Sequence, residues 1–276
     1  LPEISQQILS EHQNHLLDQS ARDLSKTFTH RFDENSLIDG RFVVVEGDPS
    51  EDFQVTEGGI VVHREGRAGY QAAFLSPAIN VGGDFDVTVS YDQLLCDAAT
   101  EKMASVRMNV VAGNDASDHS SIIRADNRSD DQIVQCLKMQ TIKGSDRRHY
   151  FESQPMEANA GRLRFSRRDD VIYYLIAEND SKQFRIIGKK DYVTDDLPDS
   201  GIQFGPQVQG VGSRVSVRFT KFEVRADRLS GIAIEGHDDL IAKLNAQRDQ
   251  LPVTFEHDFS KSAPDEQDFF RWTDST

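Results

Sequence analysis

Cysteine is scarce, with Cys96 and Cys136 the only two in 276 residues. No CxxC pair and no Cys/His cluster occurs, which argues against the common structural zinc frameworks. Two readings stay open for the thiols: one disulfide in an exported protein, or two separate thiols with one packed as a small hydrophobe. Basic residues are also in short supply, 31 Lys and Arg against 46 Asp and Glu, for a formal net charge of -15. Nucleic-acid binding needs Lys and Arg to displace condensed counterions, so this balance argues against it, and the same charge opposes anionic membrane surfaces. Long hydrophobic runs are missing too. No stretch reaches the roughly 18 apolar residues of a membrane-spanning helix. Signatures of chemistry are equally sparse, with no G-x-S-x-G elbow, P-loop or G-x-G-x-x-G fingerprint.

What is present suits a globular chain: 37% hydrophobic and 28% charged residues. The segment TFTHRF at Thr27–Phe32 returns as TFEHDF at Thr254–Phe259. At the same displacement Leu17 matches Leu244, Leu24 matches Leu251 and Phe42 matches Phe269, with no gap. Each copy follows a stretch of helical spacing, the first carrying Ile8, Leu9, Leu16, Leu17 and Leu24. Such self-similarity signals a tandem array whose repeat is a whole domain. The expected organisation is a helical linker at 1–26, a β domain at 27–230, a second helical linker at 231–251 and the start of a further repeat at 252–276. Leu1-Pro2-Glu3 opens the sequence without an initiator Met, so the expectation is a piece of a longer protein. If the first helix packs on the β domain, Ile8, Leu9, Leu16 and Leu17 should be buried.

Between the repeats the hydrophobic period is two. Segments such as RFVVVEG, DFDVTVSYD, ASVRMNVVAG, DQIVQCLKMQTI and VIYYLIAE are bounded by Gly, Asp, Asn or Pro. A dozen or more such strands point to a sandwich of two antiparallel sheets. Alternation sorts the faces. Phe85, Val87, Val89 and Tyr91 oppose Asp86, Thr88, Ser90 and Asp92, and Val106, Met108 and Val110 oppose Ser105, Arg107 and Asn109. On the same rule Ile133, Leu137 and Met139 are core candidates, against Val134, Cys136, Lys138 and Gln140. The last strand sets Val215, Val217, Phe219 and Lys221 against Ser216, Arg218, Thr220 and Phe222.

GDFDVTVSYD, GRLRFSRRDDVIYYLIAENDSKQFRIIG and VSVRFTKFEVRAD together resemble the strands of the concanavalin A-like lectin/glucanase sandwich. More narrowly, the chain resembles a bacterial domain-of-unknown-function family of that fold, whose copies begin with an H-D-F-like motif and recur in tandem. His257-Asp258-Phe259 matches that motif, and His30-Arg31-Phe32 departs from it at one position. The resemblance implies an all-β jelly-roll sandwich with flanking N- and C-terminal helices, in an exported protein whose neighbours are copies of the same domain. The fold hosts lectins, adhesion domains and glycoside hydrolases, so function rests on the site.

Hydrolysis needs paired carboxylates, roughly 5–5.5 Å apart in a retaining enzyme. The glucanases of the fold carry them on an E-x-D-x-E strand. The nearest approach here is Asp84-Phe85-Asp86, with Thr88 where a third acid belongs, which leans against an enzyme. Calcium is frequent in the fold, and the loop with Asn114, Asp115 and Asp118 offers clustered oxygen ligands without EF-hand spacing. For a glycan, Arg107, Asn109, Lys138 and Gln140 are the expected polar set, with Tyr150 or Tyr70 as the aromatic platform. His30 and His257 read as structural. Asn127-Arg128-Ser129 and Asn179-Asp180-Ser181 match glycosylation sequons, relevant only in a eukaryotic secretory setting. The expected function is a non-catalytic module binding a glycan or a protein, with a hydrolase or a ligand-free spacer as alternatives.

Overall fold

The period-two alternation is realised as antiparallel strands throughout the computed structural model, which describes residues 2–32, 40–100, 102–112, 119–127, 131–142 and 145–235. These belong to the first of the two compact units of the chain, 1–237 and 238–276. The expected start of a further repeat at 252–276 lies outside the described residues. Helix α1 (Pro2–Asp23) leads into β1 (Lys26–Arg31), β2 (Phe42–Glu46), β3 (Phe53–Thr56), β4 (Gly59–Glu65), β5 (Tyr70–Ala72) and β6 (Phe74–Pro77). Then come β7 (Asn80–Asp97), β8 (Met103–Val111), β9 (His119–Asn127), β10 (Asp131–Ile142) and β11 (Ser145–Pro155). The remaining elements are β12 (Gly161–Arg168), β13 (Val171–Glu178), β14 (Arg185–Asp191), β15 (Ile202–Gln209), β16 (Arg214–Ser230) and the single turn α2 (Ile232–Glu235).

Two sheets of eight strands result. The first runs β14-β13-β12-β7-β16-β4-β3 with β1 also on β16, and the second runs β11-β10-β9-β8-β15-β6-β2 with β5 also on β15. These pairings are antiparallel, so the protein is an all-β sandwich with its core between the sheets. Phe85, Val87, Val89, Leu163, Phe165 and Tyr174 of the first sheet meet Val106, Met108, Val110, Ile122 and Phe204 of the second in one apolar cluster. Each such side chain contributes roughly 1.5–3 kcal/mol on burial. The first F-x-H-x-F segment, on β1, serves this core. Phe28, His30 and Phe32 join Phe42, Phe204 and Phe222 in a chain of ring contacts, with His30 5.0 Å from Phe42 and edge-on to Phe32 at 5.1 Å.

Two face assignments differ from the sequence reading. On β10 it is Val134 and Cys136 that enter the main core, while Leu137 joins Ile123 and Ala125 in a second apolar cluster flanked by Met103 and Ile133. That strand is apolar on both faces, so alternation alone could not choose between them. On β16 the register shifts between Phe219 and Lys221. The bulge flips the alternation, so Val215, Val217 and Phe219 are followed inward by Phe222 and Val224. Both cysteines are free thiols.

Helix α1 packs on the outer face of the first sheet. The buried stripe is Leu17, Ala21 and Leu24, whereas Leu16 is 48% exposed, and the side chains of Ile8 and Leu9 lie outside the described residues. Beneath the helix sits Asp86, buried, accepting from Arg164 at 2.7 Å and Arg168 at 2.6 Å. Asp18 of α1 takes another Arg164 N–H at 2.8 Å, and Ser20 takes Arg168 Nε at 2.8 Å. Burial acts to lower the Arg164 value, but Asp86 and Asp18 outweigh it and leave the guanidinium raised.

Replacing Asp86 by Ala should lower stability by about 3–5 kcal/mol, because the buried Arg164 and the half-buried Arg168 lose their carboxylate. Asp18→Ala, at a side chain 51% exposed, should cost less than about 1 kcal/mol. Urea denaturation of both variants checks this, and equal losses would show that Asp86 is not the clamp.

Candidate functional site

The face expected to bind glycan is the outward side of the second sheet. Register sets Gln203 beside Asn109, Asn109 beside Ser121, Ser121 beside Leu137 and Leu137 beside Tyr150. Arg107 lies one step along, between Gly205 and Ile123. These polar groups are turned on one another: Ser121 donates to Asn109 Oδ1 at 2.7 Å, and Arg107 donates to Gln207 Oε1 at 2.6 Å. Ser105, Asn109 and Ser121 are buried, while Arg107, Gln203 and Gln207 are half-buried. Among the described outward side chains of β8, β9, β10 and β15 there is no carboxylate.

Lys138 is not part of that face. It shares the inward alternation of Val134 and Cys136, and its ammonium donates to the Asp191 carbonyl at the sheet margin. Gln140 and Tyr150 are placed by backbone only, opposite Arg147 and Leu137, their side chains lying outside the described residues. Tyr70 is exposed on β5, away from Arg107 in register. The calcium candidates Asn114, Asp115 and Asp118 fall outside the described residues. No group of three His, Cys, Asp or Glu suited to a metal occurs among the described residues. The strand nearest to a glycosidase pattern is occupied structurally, with Asp86 clamped by arginines and Asp84 accepting the Asp169 N–H at 2.8 Å.

A different concavity lies on the first sheet. A cleft of about 410 Å³ is lined by Ser90, Asp92, Arg162 and Thr220 from the sheet and by Asn179, Asp180, Ser181 and Lys182 from the β13–β14 turn, with Tyr91, Ala160 and Gly161 at its border. That volume falls in the ordinary range of ligand pockets. Arg162 stands opposite Ser90 across the β12–β7 pair. The bulge between Phe219 and Lys221 frees Thr220 from regular pairing and turns it to the same side. The turn is fixed by the Asn179 N–H on Ala160 O at 2.9 Å and the Ser181 N–H on Glu178 O at 3.0 Å, with Asn179 in the left-handed region at φ 50°.

Charge within the cleft is unevenly committed. Asp92 is held bidentately by Arg218 at 2.7 and 2.8 Å. Arg162 lies 4.4 Å over the Phe184 ring and donates one N–H to Ser181 O at 2.6 Å. Burial lowers the Arg162 value, with Glu223 pulling it back and neighbouring Arg164 adding repulsion. Such a lining suits hydrogen bonding to a polar ligand, while proton transfer would need free paired carboxylates that are absent among the described residues here. Sequence reasoning put Ser90 and Thr220 on the faces opposite the core residues of their strands. The adjacency of β12, β7 and β16, remote in sequence, is what joins them.

The model of the family described as "Protein of unknown function (DUF1583) C domain" matches residues 4–274. The chain belongs to this family. No curated protein matches it. Among solved structures, LamAcat from Zobellia galactanivorans is similar with a TM-score of 0.50 at 9% identity, over 74% of this chain and 99% of that one. The legume lectin-like domain from Entamoeba histolytica gives 0.50 at 12% identity, over 72% and 96%. The GH43 BlXynB protein from Bacillus licheniformis gives 0.50 at 12%, over 72% of this chain but 39% of that one. Likeness at these identities establishes the concanavalin A-like sandwich and leaves function to the site. No helix among the described residues is long and apolar enough to cross a membrane.

Behind the cleft the interior of this family member carries further polar groups, of which the sequence did not flag Arg124. Arg124, buried, donates to Ala125 O at 2.9 Å and to Gln132 Oε1 at 2.6 Å. Burial raises the Tyr91 phenol and keeps it neutral. It also pushes the Cys96 thiol up to about 12, with Arg124 opposing and Asp126 adding to the rise. The fold therefore holds the Cys96 proton more tightly than the unfolded chain, where the thiol ionises near 9.0. This stabilisation is complete below about pH 9 and is lost as pH climbs toward about 12. The urea midpoint of the wild type should fall more steeply across that window than that of Cys96→Ala. Parallel curves would assign the alkaline loss to other groups.

Proposed function

We propose that this chain is a non-catalytic glycan-binding module, a domain of a larger exported protein in which neighbouring copies extend the binding surface. The observation that carries the reading is the polar cleft: sugar hydroxyls require convergent donors and acceptors, and Ser90, Thr220, Asn179, Ser181 and Arg162 supply them within about 410 Å³. The shared fold is compatible with this, since it also belongs to a legume lectin-like domain. A hydrolase is disfavoured by the state of the acids, because Asp92 is bound to Arg218 and Asp86 to two arginines.

A second seat for a glycan is the outward face of the other sheet, favoured by the half-buried Arg107, Gln203 and Gln207 beside Asn109 and the Tyr150 register position. A glycan array with the whole chain, followed by titration of its best hits, separates the two. Ser90→Trp and Thr220→Trp fill the cleft and should weaken binding at least about tenfold, with Arg107→Ala near neutral. The reverse pattern would move the site to the second sheet. Loss of binding on chelation would bring in calcium at the Asn114–Asp118 loop. A folded chain that binds no glycan would refute the reading and leave a protein-binding or spacer role.

A further inference from the structure

The two cationic groups of the cleft face a single uncommitted carboxylate among its lining residues. Arg162 and Lys182 both line it, while Asp92 is neutralised by Arg218 and only Asp180 remains. On a chain of net charge -15 this is a local excess of positive charge. Arg162 is also held in place before any ligand arrives. Its guanidinium carbon rests over the Phe184 ring and one N–H is fixed on the Ser181 carbonyl, so its remaining N–H groups are held before any ligand binds. A guanidinium partly withdrawn from water gains most from a partner carboxylate.

The rest of the lining limits what that partner can be. Asp180, the one uncommitted carboxylate, would repel a multiply charged phosphate or sulfate more strongly than a single carboxylate, and it accepts hydrogen bonds from neutral hydroxyls. Ser90, Thr220 and Asn179 add donors and acceptors of neutral type. The complement is a ligand with one carboxylate at one end and hydroxyls elsewhere. Resting on the reading of this cleft as a glycan site, we infer that it selects a hexuronate unit, the sugar carboxylate meeting Arg162 and Lys182 and the ring hydroxyls meeting Ser90, Thr220 and Asn179.

The test is calorimetric titration of the whole chain with oligogalacturonate and oligoglucuronate, each compared with its methyl ester, which keeps the skeleton and removes the charge. At least one acid should bind about tenfold tighter than its ester, the scale of one charge-assisted pair. High salt should shrink the difference. Arg162→Gln should abolish it, acid binding falling much further than ester binding, and Lys182→Ala, at an exposed turn position, should reduce it several-fold. Equal affinity for acid and ester overturns the inference but leaves the glycan site standing, as does binding of neutral glycans alone. Absence of any saccharide binding removes both. If inorganic sulfate in excess displaces the acid as readily as a neutral glycan competitor does, the cleft is a simple anion site and the uronate assignment falls.

Discussion

The pairing of β7 with β16 is the constraint on which the other features depend. These are the two longest strands, and they run together from Asp97–Arg214 to Asn80–Ser230 in the middle of the first sheet. Three register irregularities along the pair bend and twist it without breaking it. One end of β16 receives β1 and with it the aromatic chain of Phe28, His30 and Phe32, while β7 receives β12 on its other side. Because the partners are far apart in sequence, the closure entropy of this pairing is recovered only when the inter-sheet core forms around it. The polar cleft depends on the same pairing, since Ser90 and Asp92 come from β7, Thr220 from the bulge in β16 and Arg162 from β12.

Arginine is the means by which this sandwich keeps polar groups inside its envelope. Arg167, buried on the inward side of β12, lies 4.8 Å from the Phe85 ring and donates to the carbonyls of Gly83 and Val193. Arg164 and Arg168 face the other way and bind Asp86 beneath α1. A planar guanidinium with five N–H groups can satisfy several carbonyls or both oxygens of a carboxylate at once, which makes burial tolerable where an ammonium would leave donors unmet. Asp86 and Asp92 are in this way occupied in holding the helix and the strands.

Much of the architecture is written in local pattern. Alternation along β7 and β8 named the buried residues Phe85, Val87, Val89, Val106, Met108 and Val110, because a half-buried strand must show one apolar face. The rule failed where its premise failed. On β10, Leu137 and Cys136 are both buried on opposite faces, and on β16 one extra residue reverses the parity between Phe219 and Phe222. Neither a two-sided apolar strand nor a bulge leaves a mark in the period itself.

What the sequence determined by itself is the all-β class, the antiparallel sandwich, the family resemblance and the structural use of the F-x-H-x-F strand, all of which follow from the order of residues along single strands. Tertiary structure alone decided the rest. It brought Asp86 under α1, divided Arg107 and Asn109 from Lys138 across the thickness of a sheet, and joined Ser90, Arg162, Asn179 and Thr220 around one cleft. The physical reason is strand order. Neighbours in the sheet are set by inter-strand hydrogen bonding and core burial between segments distant in sequence, and a site assembled from them has no contiguous signature to read.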